Sequence, residues 1–371
     1  MCRKVIFLTT SLAFAGAQTQ LVGLAVALKK RGWNVKIISM ISSEAFFFEL
    51  IEYDIPVYSL DMQRARIDLR ALFRLVKILK KERPDILHSH MVHANFMARI
   101  TRILVSVPVL ISTAHSICEG GYGRDWWYRL TDFLCDMTTQ VSEAGLQRYV
   151  ERGMVSPAKA MFVPNGVNIV VFKRNLWMRQ RERKALKVDH CFVWLAVGRF
   201  SKAKDYPNMI EAFAFLCKEM GNSVLLIAGD GVLLFEIEKL ADKFGIGARV
   251  KFLGIRQDIP NLMNAADAYV MSSIWEGMPC VLLEASACEL PIITTGVGGT
   301  GEIVRDGETG FLVLPGEPER LANAMITLER LPVERRLEMG RAGRKYIEET
   351  YALERIVDQW EELYSKLIHK R

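Results

Sequence analysis

The sequence has 371 residues, half of them hydrophobic and a quarter charged, and 49 Lys and Arg stand against 42 Asp and Glu. A chain of this length usually divides between two hydrophobic cores, and the composition excludes a disordered or fibrous protein. Residues 1–174 carry 23 basic against 14 acidic side chains and the remainder carries 26 against 28, so the two halves are expected to face different partners.

The seven cysteines are scattered along the chain and include no C-x-x-C pair. This pattern favours reduced thiols in the cytoplasm over a disulfide framework or a zinc site. Apart from one N-terminal stretch, the uncharged runs are too short to suggest a membrane span.

The N-terminal stretch allows two interpretations. An uncharged run covers residues 5–28, and the small residues AGA at 15–17 resemble a signal-peptidase site. Alternatively, KVIFLTT is a strand, the small residues form a turn, and a helix comes next that ends in the basic, glycine-stopped segment KKRG at 29–32. Because the strand-like run NVKIISM comes after that helix, cleavage would remove half of a β-α-β unit. We therefore expect the first strand of a sheet and no secretion.

Apolar strand-like runs alternate with helical segments through both halves of the chain. The predicted strands are KVIFLTT, NVKIISM, DILHSH, PVLIST and MTTQVS, then FVWLAVGR, SVLLIAGD, VKFLG, AYVMSS and PIITT. Continuous apolar strands with helical crossovers are typical of parallel, doubly wound sheets. The polar, basic segment NLWMRQRERKALKVDH at 175–190 is predicted to be a linker. The sequence thus predicts an α/β protein with two doubly wound, Rossmann-like domains, which bind ligands beyond the carboxyl ends of their strands.

Candidate chemistry concentrates in two loops of the second half. Glu276, Gly277, Met278 and Pro279 come after the strand AYVMSS and open a helix, whose start is a natural site for an anion. Glu284, eight residues beyond Glu276, can accept the two hydroxyls of a ribose diol.

The second of these loops comes after the strand FVWLAVG. It carries Arg199 and Lys204, which together can neutralise a diphosphate.

Several segments together resemble the retaining family 4 glycosyltransferases, which have the two-domain GT-B fold. VGRFSKAKDYPN is similar to the family's G-R-x-x-x-x-K loop, and SSIWEGMPCVLLEASACELPIITT to its E-x7-E motif and the strand after it. LLIAGDG, VKFLG, VPNGVNIVVF and DILHSHMVHANFMAR resemble further family segments. The resemblance implies an acceptor-side domain over 1–175 and a donor-binding domain over 176–351, facing across a cleft. A final helix over about 352–371 is expected to pack back on the first domain.

The resemblance also assigns roles around a nucleoside-diphosphate sugar. It places Glu284 on the ribose, Arg199 and Lys204 on the diphosphate, and Glu276 with the backbone of 277–279 on the transferred sugar. His115 falls where the family has a histidine near the reacting sugar. Gly16 lies in the family's N-terminal glycine loop, which approaches the phosphates or the acceptor.

Two departures from the family pattern affect these contacts. AGAQ at 15–18 replaces the commoner Gly-Gly-Ala-Glu, and Met278-Pro279 replaces the more frequent aromatic-glycine pair. We expect the contacts of the N-terminal loop and of the sugar pocket to differ accordingly.

The implied reaction is retaining transfer of a sugar from a nucleoside-diphosphate sugar to a glycan or lipid-linked acceptor, in cell-surface polysaccharide assembly. UDP is the favoured nucleotide, with GDP-mannose next, and no cofactor is expected. No D-x-D motif occurs, so catalysis is predicted to be metal-independent. A sugar-nucleotide epimerase or a phosphorylase on the same fold is the alternative.

Three other patterns suggest different sites. His88, His90 and His93 crowd one strand-to-helix turn, but no acidic or thiol cluster accompanies them, so packing or acceptor contacts are favoured over zinc. GVGGTG at 296–301 fits G-x-G-x-x-G, but the segment after it is too short for a crossover helix. The basic first half would suit a nucleic-acid binder, but the chain has neither an aromatic-basic strand motif nor a helix-turn-helix pattern, so no nucleic-acid partner is expected.

Two surface segments suggest contact of a cytoplasmic protein with the anionic inner face of the cell membrane. A basic stripe at helical spacing runs from Arg66 to Lys81 beside an apolar face, which fits either a solvated cover on the sheet or a helix lying on lipid. The segment EGGYGRDWWYRL at 119–130 pairs tryptophans with arginines and fits either interfacial anchoring or core packing.

Overall fold

The computed structural model describes residues 3–13, 15–42, 45–63, 68–117 and 120–370. The chain forms two compact units, one made of Met1–Gly166 with Leu353–Arg371 and the other of Val167–Ala352. None of the helices in the described ranges is both long and apolar enough to cross a membrane.

In the described part of the first unit, seven parallel strands form one sheet in the order β3-β2-β1-β4-β5-β6-β7. In chain order the elements are β1 Lys4–Thr9, α1 Gly16–Lys30, β2 Asn34–Ser39, α2 Phe47–Glu52, β3 Val57–Ser59, α3 Leu69–Glu82, β4 Ile86–His90, α4 Val92–Leu104, β5 Val109–Ala114, α5 Gly121–Thr131, β6 Met137–Gln140, α6 Glu143–Glu151 and β7 Ala160–Phe162.

Both faces of this sheet are covered, which explains its continuous apolar strands. Along β1, Val5 and Phe7 enter one core with α1, whereas Ile6 and Leu8 enter a second core with α3. Successive side chains of a strand point to opposite faces, so every residue of such a strand meets a helix.

The second unit, every residue of which is described, contains a six-stranded parallel sheet in the order β10-β9-β8-β11-β12-β13. Its elements are α7 Leu176–Leu186, β8 Phe192–Val197, α8 Tyr206–Glu219, β9 Ser223–Ala228, α9 Leu234–Lys243, β10 Val250–Phe252, α10 Ile259–Ala265, β11 Ala268–Met271, α11 Cys280–Ala287, β12 Ile292–Thr295, α12 Thr300–Ile303, β13 Gly310–Val313, α13 Pro318–Arg330 and α14 Val333–Thr350.

The linker predicted over 175–190 is wrong, because this segment contains helix α7 and belongs to the second unit. The Asn175 side chain caps α7 by accepting from the Met178 N–H at 3.0 Å. Arg179 and Arg183, one turn apart, both form ion pairs with Asp267. The basic residues that suggested a solvated linker therefore attach a helix to the start of β11.

The final helix, α15 Leu353–His369, belongs to the first unit. Its apolar face, which includes Trp360 and Tyr364, joins the core that α1 shares with β1. On its other side, Asp358 and Glu361 each accept from the Arg31 guanidinium at 2.6 Å.

Candidate active site

The loop after β8 carries Arg199 and is held in shape by two close glycine contacts. A Cβ on Gly229, where φ is +150°, would lie 2.0 Å from the carbonyl oxygen of Gly198. A Cβ on Gly231 would lie 2.4 Å from the carbonyl oxygen of Phe200. Both positions therefore require glycine, which explains the GDG segment at 229–231 after β9. The Arg199 side chain is exposed and forms no hydrogen bond or ion pair with a residue that the structure describes.

The segment after β11 is fixed to the same loop through backbone carbonyls. Ser272 is fully buried, and its Oγ lies 2.8 Å from the carbonyl oxygens of both Lys204 and Asp205. The Ile274 N–H donates to the carbonyl of Ala203 at 2.8 Å. The two loops that sequence reasoning selected separately thus form one surface at the carboxyl ends of β8 and β11.

Lys204 and Glu276 meet directly on this surface. The Lys204 Nζ lies 2.6 Å from Glu276 Oε1, and the Ser273 hydroxyl donates to the same oxygen at 2.7 Å. The side chains of Lys204 and Glu276 are only 19% and 14% exposed. Two residues assigned to different parts of a donor are therefore paired with each other.

Gly277, Met278 and Pro279 are buried and lead into α11. The glycine-rich segment after β12 packs against them: the Gly299 N–H donates to the Gly277 carbonyl at 2.7 Å. Gly298 has φ of +58°, and a Cβ there would lie 2.2 Å from the Glu276 carbonyl oxygen. The GVGGTG motif is thus a turn that supports the Glu276 loop, and α12 behind it has only four residues.

Glu284 lies on α11, the helix that this loop opens, and is partly buried. Burial raises the pKa of its carboxyl group to about 7. No hydrogen bond or ion pair joins its side chain to any described residue. A half-buried carboxyl group without a protein partner is suited to receive a ligand.

The first unit holds the other two candidate residues. Gly16 is exposed and is the first residue of α1. His115 directly follows β5, and its Nε2 lies 2.9 Å from the Nδ1 of His90 at the end of β4. Burial lowers the pKa of His115 to about 4, so its imidazole is neutral near pH 7.

His88 and His90 on β4 belong to a packed network, whereas His93 on α4 is exposed. The His88 ring bonds to the Tyr364 hydroxyl through Nδ1 and to the Thr113 hydroxyl through Nε2, each at 2.7 Å. Among the described residues, no group of three or more His, Cys, Asp or Glu side chains could hold a metal ion. Sequence reasoning missed the bond between His90 and His115, although both fall at the ends of adjacent strands.

The two segments predicted to contact a membrane correspond to helices α3 and α5, and each has exposed side chains. Arg66 lies outside the described residues, and α3 begins at Leu69. Along α3, Leu75 and Leu79 are buried in the core while Lys77 and Lys81 are exposed. On α5, Trp126 and Trp127 are 57% and 48% exposed, so they are not core residues.

Comparison with known proteins identifies both halves of the chain. The model of the family described as Glycosyltransferase Family 4 matches residues 14–170, and that of the Glycosyl transferases group 1 matches residues 178–346. The chain is 28% identical to the UDP-Gal:alpha-D-GlcNAc-diphosphoundecaprenol alpha-1,3-galactosyltransferase of Escherichia coli, over 81% of this chain and 80% of the relative. It is 27% identical to the putative glycosyltransferase EpsD of Bacillus subtilis, over 91% of this chain and 90% of the relative.

Solved structures share the fold. HepE of Anabaena, solved in complex with UDP-glucose, superposes with a TM-score of 0.87 at 22% identity, over 98% of this chain and 99% of HepE. Two Rossmann-like parallel sheets and two family matches lead to one assignment. The chain is a glycosyltransferase of the GT-B fold, with its first half in Glycosyltransferase Family 4 and its second in the Glycosyl transferases group 1.

Proposed function

We propose that this glycosyltransferase transfers a sugar from a UDP-sugar to a glycan or lipid-linked acceptor, with retention of configuration, in cell-surface polysaccharide assembly. The main support for this proposal is the Glu284 carboxyl group, which has no partner among the described residues and lies on the helix that the Glu276 loop opens. The E. coli relative is named for a UDP-sugar donor and a diphosphoundecaprenol acceptor, and HepE was solved with UDP-glucose. The E. coli and B. subtilis relatives are both named as glycosyltransferases, and neither is named as an epimerase or a phosphorylase.

In this proposal the second unit holds the donor. Glu284 accepts the ribose diol, because an ionised carboxylate has two oxygens for two neighbouring hydroxyls. Arg199 and Lys204 bind the diphosphate, the first through its forked guanidinium and the second as a point charge. Glu276 and the backbone of 277–279 bind the transferred sugar.

The same groups stabilise the charge that develops during transfer. Breaking the anomeric C–O bond leaves negative charge on the diphosphate and positive character on the sugar. Arg199, Lys204 and the N-terminal end of α11 oppose the negative charge, each preorganised donor contributing about 2–4 kcal/mol to the barrier reduction. His115 is proposed to hydrogen-bond a hydroxyl of the transferred sugar as a neutral imidazole, and Gly16 to let backbone approach the phosphates or the acceptor.

The donor site is tested by thermal unfolding in the presence of UDP, GDP, ADP and their sugars. A nucleotide at 100 times its dissociation constant should stabilise the protein by about 2.7 kcal/mol. We expect a shift selective for uridine that Glu284→Ala removes and that Glu236→Ala, a charge loss on the exposed face of α9, preserves. A shift selective for guanosine nucleotides would indicate GDP-mannose as the donor instead of a UDP-sugar. No shift with any nucleotide would refute the proposed donor site.

The reaction is tested with UDP-galactose and a GlcNAc-diphosphate lipid. A transferase releases UDP only when the acceptor is present and forms a new glycoside. Conversion of UDP-galactose to an isomer without acceptor would indicate the epimerase alternative, and sugar phosphate formed with inorganic phosphate would indicate the phosphorylase.

Removal of divalent metal is expected to leave transfer unchanged. The positive charge for the diphosphate comes from Arg199, Lys204 and a helix end, and the chain has no D-x-D motif to hold a cation. Initial rates should agree within about twofold with and without EDTA. Loss of turnover in EDTA that Mg²⁺ or Mn²⁺ restores would contradict this prediction.

We also propose a cytoplasmic location with peripheral attachment to anionic membrane through the exposed basic residues of α3. The seven cysteines are scattered along the chain without a C-x-x-C pair, which suits a reducing compartment. Each Lys or Arg near an anionic surface adds about 1 kcal/mol of attraction. Co-sedimentation with phosphatidylserine vesicles at low salt should therefore fall steeply in the double variant Lys77→Glu, Lys81→Glu. Equal sedimentation of variant and parent would contradict the α3 contact.

A further inference from the structure

His90 and His115 form a directly bonded pair at the ends of adjacent strands. The register of β4 and β5 sets His90 opposite Thr113, so His115 emerges just beyond it. The two rings are stacked, with centroids 5.2 Å apart and planes 28° apart, and one hydrogen bond of 2.9 Å joins His90 Nδ1 to His115 Nε2. The backbone thus holds the two imidazoles in fixed relation.

In this pair, the nitrogen that carries the proton on one ring fixes the nitrogen that carries it on the other. Each neutral imidazole carries one N–H, and one ring donates in the shared bond while the other accepts. If His90 Nδ1 donates, His115 must carry its proton on Nδ1. If His115 Nε2 donates, its Nδ1 is a bare acceptor. No hydrogen bond joins His115 Nδ1 to any described residue, so this nitrogen is left for a ligand.

The second ring nitrogen of His90, Nε2, indicates which of these two tautomeric arrangements is favoured. His90 is 3% exposed, and its Nε2 is buried with no hydrogen-bond partner among the described residues. A buried N–H without an acceptor is the rarer and costlier arrangement, so an unprotonated Nε2 is favoured. The proton then lies on His90 Nδ1, which donates to His115.

A small cavity of about 20 Å³ lies beside the pair. Its lining includes His90, His115 and Thr113, while Val163 and, from α15, Trp360 contribute to its apolar wall.

The surroundings keep the pair neutral. Burial lowers the pKa of His90 and His88 well below the ordinary value, and the charge of a protonated His115 would lower both further. The α15 helix adds the Tyr364 hydroxyl on the far side of His88. Two cationic rings could not share the bond, because neither would have an acceptor nitrogen.

We propose that His90 is a positioning residue that fixes His115 in the Nδ1–H tautomer, so that His115 presents an N–H donor to a hydroxyl of the transferred sugar. The substrate part of this inference rests on the proposed function. The tautomer itself does not, since it follows from the contacts of the first unit.

The direct test is the nitrogen spectrum of the free protein labelled with ¹⁵N-histidine. The chain has only six histidines, so individual rings can be assigned by substitution. We expect His115 as the Nδ1–H form near pH 7 in the parent protein and a mixture of tautomers in His90→Leu. His115 in the Nε2–H form in the parent would overturn the proposal, whatever the enzyme does with UDP-sugars.

The kinetic test compares His90→Asn with His90→Leu, using UDP-galactose and a GlcNAc-diphosphate lipid. The asparagine side-chain N–H lies close to where His90 Nδ1–H lies and should keep kcat within about threefold, whereas leucine should lower kcat about 10–100-fold with KM for the donor nearly unchanged. Val163→Ala, which alters the same cavity without touching the bond, should retain near-parental kcat.

The outcomes separate two failures. Equal loss of kcat in Val163→Ala and His90→Leu, or parental kcat in His90→Leu, would overturn the positioning role. Absence of transfer in the parent with every UDP-sugar, together with His115 in the Nδ1–H form, would refute the proposed function and leave the tautomer assignment supported.

Discussion

Replacing Glu276 by glutamine is expected to tighten the binding of free UDP while it slows sugar transfer. In the free protein the Glu276 carboxylate holds the Lys204 ammonium at 2.6 Å, and both side chains are largely shielded from water. A diphosphate that binds Lys204 must compete with this carboxylate. Glutamine removes the competing charge, so we expect the dissociation constant of UDP to fall about 3–10-fold, a gain of about 1 kcal/mol.

The same substitution removes the proposed contact to the transferred sugar. Loss of a charge-assisted hydrogen bond in the transition state typically costs about 10²–10³-fold in kcat. Calorimetry with UDP and turnover with UDP-galactose therefore should change in opposite directions. A residue that only stabilised the loop would weaken both.

Ser273→Ala is the matched control for this prediction. It deletes the hydroxyl that donates to the same Glu276 oxygen at 2.7 Å but leaves the ion pair and its charge in place. UDP affinity should then change by less than about twofold. Weaker UDP binding in Glu276→Gln than in the parent would contradict the competition between carboxylate and diphosphate.

This competition could not be predicted from the sequence, although both residues could be. Arg199, Lys204, Glu276 and Glu284 are recognisable because each follows a strong apolar strand or lies on the helix after it. The pairing of residues 204 and 276 depends instead on the buried Ser272 hydroxyl, which fixes one loop to the other. Side-chain anchors of this kind leave no periodic pattern in a sequence.

The secondary structure, too, could be predicted only in part from the sequence. The long, mostly buried strands such as β1 and β8 were predicted because continuous apolar runs identify them. The missed strands β3, β7 and β13 have three or four residues and are largely only partly buried, so their pattern is weak. The linker prediction failed because the partner of its basic residues, Asp267, lies more than 80 positions away.

Glu284 is expected to make donor binding depend on pH near neutrality. Burial raises the pKa of its carboxyl group to about 7, so close to half of the free protein carries it protonated at that pH. The ionised form accepts both hydroxyls of a ribose diol, whereas the protonated form must donate its own proton and accepts less well. Binding therefore favours ionisation and releases a proton, and affinity should rise as the pH increases through about 7.

UDP-glucose is the suitable probe, because its diphosphate diester has no group that titrates near pH 7. Between pH 6 and 8 we expect its affinity to rise about tenfold in the parent protein, the limit over this range for a single group with a pKa of about 7. Glu284→Gln should bind more weakly at pH 8 and show a flat profile. A flat profile in the parent, or a slope that persists in Glu284→Gln, would contradict the role of Glu284 in this pH dependence.

The free energy of unfolding should fall as the pH rises, whereas donor affinity should rise. The folded-state pKa of Glu284 lies above the ordinary glutamate value of 4.5, so the folded protein binds more protons than the unfolded chain between these two values. The contribution of the protonated carboxyl group is complete below about pH 4.5 and is lost as the pH rises through about 7. Relative to Glu284→Gln, the parent should lose up to about 3 kcal/mol of unfolding free energy over this interval, measured by urea titration at each pH. Donor binding at the proposed ribose site would then offset at pH 8 part of the stability that ionisation of Glu284 costs the free protein.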